Sequence, residues 1–252
     1  MQIIGRGFMA RHLAPVADRH PDVVALAAGV SWASQTAQAD FDREAALVAA
    51  TVQECRASGR RLLFFSTSSP GMYGRATGPV HEDDAIEPAN PYGVHKLGLE
   101  RVVADSGVDA LVLRMAHLVG PGQPDHQLLP TLVRLLRAGR VTVHDGARRD
   151  LIDVAHVVRI VDRLLTDGVR GTVNVASGHS VQVEAVVDHL EDILGTAAER
   201  AHQPGGSAHH VSVQRLCALV PETAGFGFGP GYFRGVVTRF VAAADTWTDK
   251  AA

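Results

Sequence analysis

Lysine is almost missing from this chain. Of its 24 basic residues 22 are arginine, and only Lys96 and Lys250 are lysine. Cysteine is scarce as well: Cys55 and Cys217 have no CxxC spacing, which excludes a disulfide scaffold and a thiolate zinc site. There is no excess of charge of one sign. A net charge of −3 with interspersed signs leaves no basic stripe and argues against nucleic acid as a partner. No apolar run approaches the roughly 20 residues needed to span a bilayer, so no membrane partner is expected. The start Met1-Gln2-Ile3-Ile4-Gly5 has neither a charged n-region nor an apolar h-region, so the sequence predicts no signal peptide and a cytoplasmic location. Thirteen histidines are scattered without HExxH spacing and read mostly as surface residues, with no metal site expected. Internal repeats and low-complexity tracts are also lacking.

What is present is enough for a sizeable core: 252 residues, 46% hydrophobic and 20% charged. One of the two lysines lies in Pro91-Tyr92-Gly93-Val94-His95-Lys96. Four residues is about one helical turn, so Tyr92 and Lys96 leave the same helix face. A phenol ionises near pH 10, and an ammonium beside it favours the phenolate, so the pair is a candidate proton donor for carbonyl chemistry. The same spacing also suits an ordinary amphipathic helix with a buried tyrosine and a solvated lysine.

Strand and helix signals alternate along the chain. Gln2-Ile3-Ile4 reads as a strand, followed by Gly5-Arg6-Gly7-Phe8-Met9-Ala10 and a helix to about Arg19. Gly5 and Gly7 allow a tight turn and close approach to a pyrophosphate, and Ala10 allows close helix–strand packing. Strands are expected at 22–28, 61–65, 109–115, 141–143 and 172–175, and helices at about 40–57, 91–106, 127–138, 153–165, 181–194, 212–219 and 231–243. Residues 203–207 read as loop. This alternation predicts an α/β fold with a parallel sheet covered on both faces.

In order, the motifs resemble those of the extended short-chain dehydrogenase/reductases, the family of nucleotide-sugar epimerases, dehydratases and ketoreductases. Gly5 to Ala10 resembles its cofactor turn, Leu26-Ala27-Ala28-Gly29-Val30-Ser31 its "LAA" strand end, and Ser66-Thr67-Ser68-Ser69-Pro70-Gly71-Met72-Tyr73-Gly74 its serine-rich strand end. Pro91-Tyr92-x3-Lys96 is similar to its catalytic signature. Leu113 to Pro121 stands where "RxxNVYGP" is found, Arg149 to Val154 resembles "RDfihV", and Asn174 to Gly178 resembles "NvgsG".

The resemblance implies a Rossmann-type sheet and an NAD(P)-dependent oxidoreductase, with NADPH slightly ahead of NADH. It implies a cofactor-binding core at about 1–117 and 150–176, and substrate-binding segments at about 118–149 and 177–244. It also implies a nucleotide-sugar substrate and a homodimer through a helix pair that includes the Tyr–Lys helix. By the same resemblance, Tyr92 protonates the carbonyl oxygen, while Lys96 tunes it and holds the nicotinamide ribose. Ser69, or alternatively Ser68, hydrogen-bonds the same oxygen. Gly5, Arg6, Gly7, Phe8, Met9, Ala28 and Gly29 meet the cofactor together with Tyr92 and Lys96. Ser69, Met72, His117 and Arg149 meet the substrate, Arg149 through its pyrophosphate.

Three departures stand out. His117 replaces the family's Asn, and a core role for it is as reasonable as a phosphate contact. The glycine turn lacks its usual first Gly. Only His20-Pro21 lies between the first helix and the "LAA" strand, where members have about 50 residues, so the sheet should be reduced and the usual NAD-versus-NADP discriminator absent. Arg6 and Arg11 are then the nearest cations for a 2′-phosphate, although either also reads as a solvated helix-end charge.

Ser69 is followed by Pro70-Gly71 rather than by the Asp-Glu of dehydratases, and neither cysteine falls where the epimerase-reductases need one. Ketoreduction of an activated deoxysugar is the expected reaction, with a dTDP-4-keto-6-deoxyhexose as the expected substrate. The arginine usage fits a high-GC genome, in which such sugars often decorate natural products. A 4-epimerase with retained NAD is the alternative. A non-catalytic dinucleotide sensor or partner module is a third reading, which the Ser/Tyr/Lys set disfavours.

Overall fold

The computed structural model describes residues 1–30, 37–74, 78–208 and 210–248, the last five as backbone only. Ser31, the end of the "LAA" motif, and Lys250 lie outside the described residues.

Five parallel strands form the main sheet in the order β1-β2-β3-β4-β9: β1 (Gln2–Ile4), β2 (Val23–Leu26), β3 (Arg61–Thr67), β4 (Ala110–Met115) and β9 (Gly171–Val175). Their apolar residues point alternately to two faces, as a pleated strand requires. On one face Val23, Ala25, Leu63, Leu111 and Leu113 pack with Leu13 and Val16 and with Val157, Ile160 and Val161. Leu13 ends α1 (Phe8–Leu13), Val16 lies in the 3-10 turn that follows it, and the last three belong to α6 (Val154–Thr166). On the other face Val24, Leu26, Leu62, Phe64 and Val112 pack with Val48, Val52 and Cys55 of α2 (Gln38–Ser58) and Leu99 and Val103 of α4 (Pro91–Asp105). The expected α/β sandwich with a Rossmann-type parallel sheet is therefore present.

The strand order carries the mark of the shortened segment. Each strand is added on the same side of the one before, yet α1 and α6 cover one face while α2 and α4 cover the other. The connections through α1 and α6 must therefore have the opposite hand to those through α2 and α4. Crossovers of one hand dominate parallel sheets, so one pair is an exception. β1, interior in a sheet that continues on both sides of it, is here an edge strand with only three paired positions.

The second half builds a separate core from α5 (Leu128–Arg137), β6 (Arg140–His144), α7 (Val183–Leu194) and α9 (Tyr232–Thr248), with Leu129, Leu136, Val186, Leu190 and Val237 buried among them. Short elements not foreseen in the sequence link the two cores. β5 (His117–Val119) pairs in parallel with β8 (Leu151–Asp153), and β7 (Arg148–Arg149) pairs antiparallel with β10 (Val181–Gln182). β11 (Glu199–Gln203) pairs in parallel with β6, so residue 203, read as loop, closes a strand. A one-turn helix, α3 (Pro70–Tyr73), follows β3, and α8 (Gln214–Leu219) packs beside β9. Among the described residues no helix is long and apolar enough to cross a membrane.

Candidate active site

The C-terminal ends of parallel strands share one edge of a sheet, where α/β proteins of this kind bind ligands. Here that edge collects Gly5 after β1, Ala28 and Gly29 after β2, Ser68 and Ser69 after β3, and His117 beyond β4. Gly5 has φ +134°, and a Cβ there would lie 2.3 Å from the Ala27 carbonyl oxygen, so only glycine fits. Ala27 in turn donates its N–H to Ile4 O at 2.8 Å, which fixes the turn against the end of β2.

The Tyr–Lys helix is placed by its own start. Asn90 caps α4 by accepting from Gly93 N at 2.9 Å, and Pro91 occupies the first turn, where its missing N–H is not needed. The helix then meets α3 backbone to backbone. A Cβ on Gly93 would lie 2.1 Å from Gly71 O, and Ala89 N donates to that same oxygen at 2.8 Å. This contact brings the turn carrying Tyr92 against the segment that begins at Ser69. Tyr92 is buried, with its hydroxyl 3.5 Å from Val30 O in the segment that follows β2.

Lys96 is not solvated, so the ordinary amphipathic-helix reading fails. It is 2% exposed, its Nζ lies 5.9 Å from the Tyr92 ring centre, and it donates to Glu44 Oε1 at 2.6 Å. Sequence reasoning did not single out Glu44. The buried face of α2 runs Phe41, Glu44, Val48, Thr51, Val52 and Cys55, and a glutamate at a core position of that stripe was the available signal. Its other oxygen, Oε2, lies 2.9 Å from His95 Nε2.

The two serines differ. Ser68 has no exposed surface and extends the sheet pairing through N–H to Met115 O at 3.0 Å. Ser69 precedes α3, and its Oγ is buried without a hydrogen-bond partner among the described residues. A buried hydroxyl left unpaired is costly, and an oxygen brought within hydrogen-bond distance of it would offset that cost.

Arg149 is half-buried and donates from Nη1 to the carbonyl oxygens of Arg148, at 2.7 Å, and Ser207, at 2.9 Å. Burial holds its guanidinium below the usual arginine range, and among the described residues no carboxylate pairs with it. A half-buried guanidinium with no carboxylate against it among the described residues can accept an anion. His117 lies beside it, its N–H donating to Asp150 O at 3.0 Å, and β5 pairs His117 with Leu151. Asp150 is wholly buried, and that burial pushes its carboxyl up to about 6, while Ser177 N donates to it at 2.8 Å.

Several expected contacts are redirected. Met72 has no exposed surface and packs in the core beside α6, with its sulfur 3.9 Å from Ser66 Oγ, so its position does not support a substrate contact. Phe8 is buried edge-on to His12 with ring centres 4.8 Å apart, and Met9 leans on the same core as Leu13. Arg11 spends its guanidinium on Gly122 O at 2.9 Å and Arg6 O at 3.3 Å, bracing the turn, whereas Arg6, like Gly7, is exposed at the turn itself. Among the described residues no group of His, Cys, Asp or Glu is arranged to hold a metal ion.

Comparison with known proteins agrees with this layout. Residues 10–176 match the NAD dependent epimerase/dehydratase family. GDP-6-deoxy-D-mannose reductase of Pseudomonas aeruginosa is 32% identical over 169 residues, covering 61% of this chain and 56% of that protein. The chain thus spans little more than half of that relative's length. The dTDP-6-deoxy-L-talose 4-dehydrogenase (NAD(P)(+)) of Kitasatospora kifunensis is 29% identical over 221 residues, 79% of this chain and 68% of that protein. Among solved structures, RMD from Pseudomonas aeruginosa complexed with NADPH superposes with a TM-score of 0.79 at 22% identity, over 97% of this chain and 98% of that one. With the family's match covering two thirds of its length and the parallel sheet, serine-rich strand end and Tyr–Lys helix in place, this chain belongs to the NAD dependent epimerase/dehydratase family, of the extended short-chain dehydrogenase/reductase type.

Proposed function

We propose that the chain is an NAD(P)H-dependent ketoreductase acting on an activated deoxysugar, with a dTDP-4-keto-6-deoxyhexose of natural-product sugar biosynthesis as the substrate class. The observation that carries this reading is the unpaired, buried Ser69 Oγ at the strand edge, on the segment against which the Tyr92 turn packs. The names of the Pseudomonas and Kitasatospora relatives, a nucleotide-deoxysugar reductase and a 4-dehydrogenase, support the substrate class.

The residues fit a dinucleotide. Gly5 opens the turn at the end of β1, and Lys96 offers a buried ammonium on the nicotinamide side. When bound, the dihydronicotinamide supplies the hydride. Ser69 then donates to the carbonyl oxygen as charge develops on it, and Tyr92 delivers the proton that makes the alcohol. Arg149 holds the substrate pyrophosphate, with His117 beside it, and the second core at 118–149 and 177–244 forms the substrate side. Arg6, rather than Arg11, is the cation free to favour NADPH. The exposed side chains of Val94 and Val102, two turns apart on α4, support a homodimer through that helix.

Arg149→Ala should raise the KM for the sugar nucleotide about 10- to 100-fold with little change in the KM for NAD(P)H, since a charged hydrogen bond is worth roughly 1.5–3 kcal/mol. Steady-state kinetics with both substrates varied measures this, and equal effects on both would make Arg149 structural.

The choice between reductase and epimerase rests on cofactor retention. An epimerase must keep its NAD through both half-reactions, whereas a reductase exchanges it every turnover. With β1 at the sheet edge and the ribose-reading segment absent, the purified protein should carry less than stoichiometric nucleotide and take up either cofactor reversibly. Absorbance and extraction of the protein as isolated, followed by titration with NADH and NADPH, test this. Stoichiometric, non-exchanging NAD would restore the 4-epimerase.

A further inference from the structure

We propose that Glu44 is a positioning residue that keeps Lys96 charged and fixed at the edge of the site, with His95 holding Glu44 in place. The inference rests on the reading of Lys96 as the nicotinamide-side cation, but its first test does not need that reading.

An ammonium with 2% exposure is desolvated, and desolvation favours loss of its proton. A carboxylate 2.6 Å away opposes that preference and holds the ammonium in place. Among the described residues, the groups facing Lys96 are Glu44 from α2, Tyr92 on its own helix, the Phe64 ring of β3 at 5.8 Å and the backbone of Gly29 after β2. Of these Glu44 alone brings a counter-charge. The carboxylate is itself 3% exposed and wedges between two consecutive residues of α4, with Lys96 on Oε1 and His95 on Oε2. His95 is steadied by the Phe41 ring, 4.5 Å away between centres. The geometry also gives Gly29 a reason of its own. A Cβ at this position would lie 2.5 Å from Glu44 Oε1 and 2.9 Å from Lys96 Nζ, so the strand end leaves room for the ion pair.

The near absence of lysine makes the test direct. Protein grown on isotope-labelled lysine gives side-chain NMR signals from Lys96 and Lys250 only, and Lys96→Arg assigns them. In Glu44→Gln, which keeps the shape and a hydrogen bond but removes the charge, the Lys96 signal should titrate at least about one pH unit lower than in the unaltered protein. If that variant does not fold, Gly29→Ala forces the pair apart at constant charge and should move Lys96 in the same direction. An unmoved Lys96 in a folded variant overturns the proposal.

The second readout is activity with NADPH and a dTDP-4-keto-6-deoxyhexose. Glu44→Gln should lose about tenfold near neutral pH, where Lys96 is no longer held in place, and lose more as the pH is raised toward about 9.5, where its Lys96 gives up the proton first. A loss of equal size at every pH would mark a merely structural residue and overturn the proposal. If no reduction is seen with the unaltered protein while the Lys96 shift appears, the ketoreductase reading fails and this one stands. The converse result separates them the other way.

Discussion

Replacing Tyr92 by phenylalanine is expected to lower turnover about 10²–10⁴-fold, the usual scale for removing a general acid. The change deletes a single oxygen from a buried ring whose only hydrogen bond among the described residues is a long one, 3.5 Å to Val30 O. The packing of α4 on α3 runs through Gly93 and Gly71 and is untouched. Stability and cofactor binding should therefore stay close to those of the unaltered protein, and the whole effect should appear in kcat. Thermal unfolding, NADPH titration and single-turnover reduction of a 4-keto sugar nucleotide, measured together, test this. A variant that retains more than half its turnover would remove Tyr92 from the chemistry.

Ser69→Ala is expected to cost about 10²–10³ in kcat, the range seen when one donor to a developing oxyanion is lost. Because Ser69 Oγ has no partner among the described residues, its removal breaks no hydrogen bond among them. It relieves an unsatisfied hydroxyl, so stability should hold or rise slightly while activity falls. Ser68 is a contrast, because it has no exposed surface and its N–H extends the sheet pairing to Met115. Ser68→Ala should act on stability first and on kcat less. The two variants assayed side by side decide the matter, and the reverse order of kcat losses would assign the oxygen contact to Ser68.

The parts of this molecule that were legible in the sequence are those with local causes. α4 lies at Pro91–Asp105 because Asn90 and Pro91 set its start, and both are visible as letters. β2 is a run of four buried apolar residues, and β3 and β4 are built around Leu62-Leu63-Phe64 and Leu111-Val112-Leu113, runs buried on both faces of the sheet. The reduced sheet followed from the short spacing after the first helix. Strands of two to five residues such as β7, β10 and β11 have no such signal. Glu199–Gln203 is polar along its length, and its pairing is fixed by β6 some sixty positions earlier. Glu44 was hidden for a similar reason. One glutamate in a 21-residue helix is ordinary until a lysine and a histidine from another helix are brought against it. Met72 went the other way: its place in a recognisable motif suggested a contact, and the fold uses it to fill the core.

The edge position of β1 bears on how readily the cofactor turn is available. An outer strand held by three pairings opens more easily than the interior strands, which are gripped from both sides. Gly5 and Gly7 are attached to that strand, so an opening of β1 carries the turn with it. If the proposed cofactor binds at this turn, its apparent dissociation constant should rise by the reciprocal of the fraction in which the turn is formed. A mutation that stiffened β1 should then tighten NAD(P)H binding without touching the ligand.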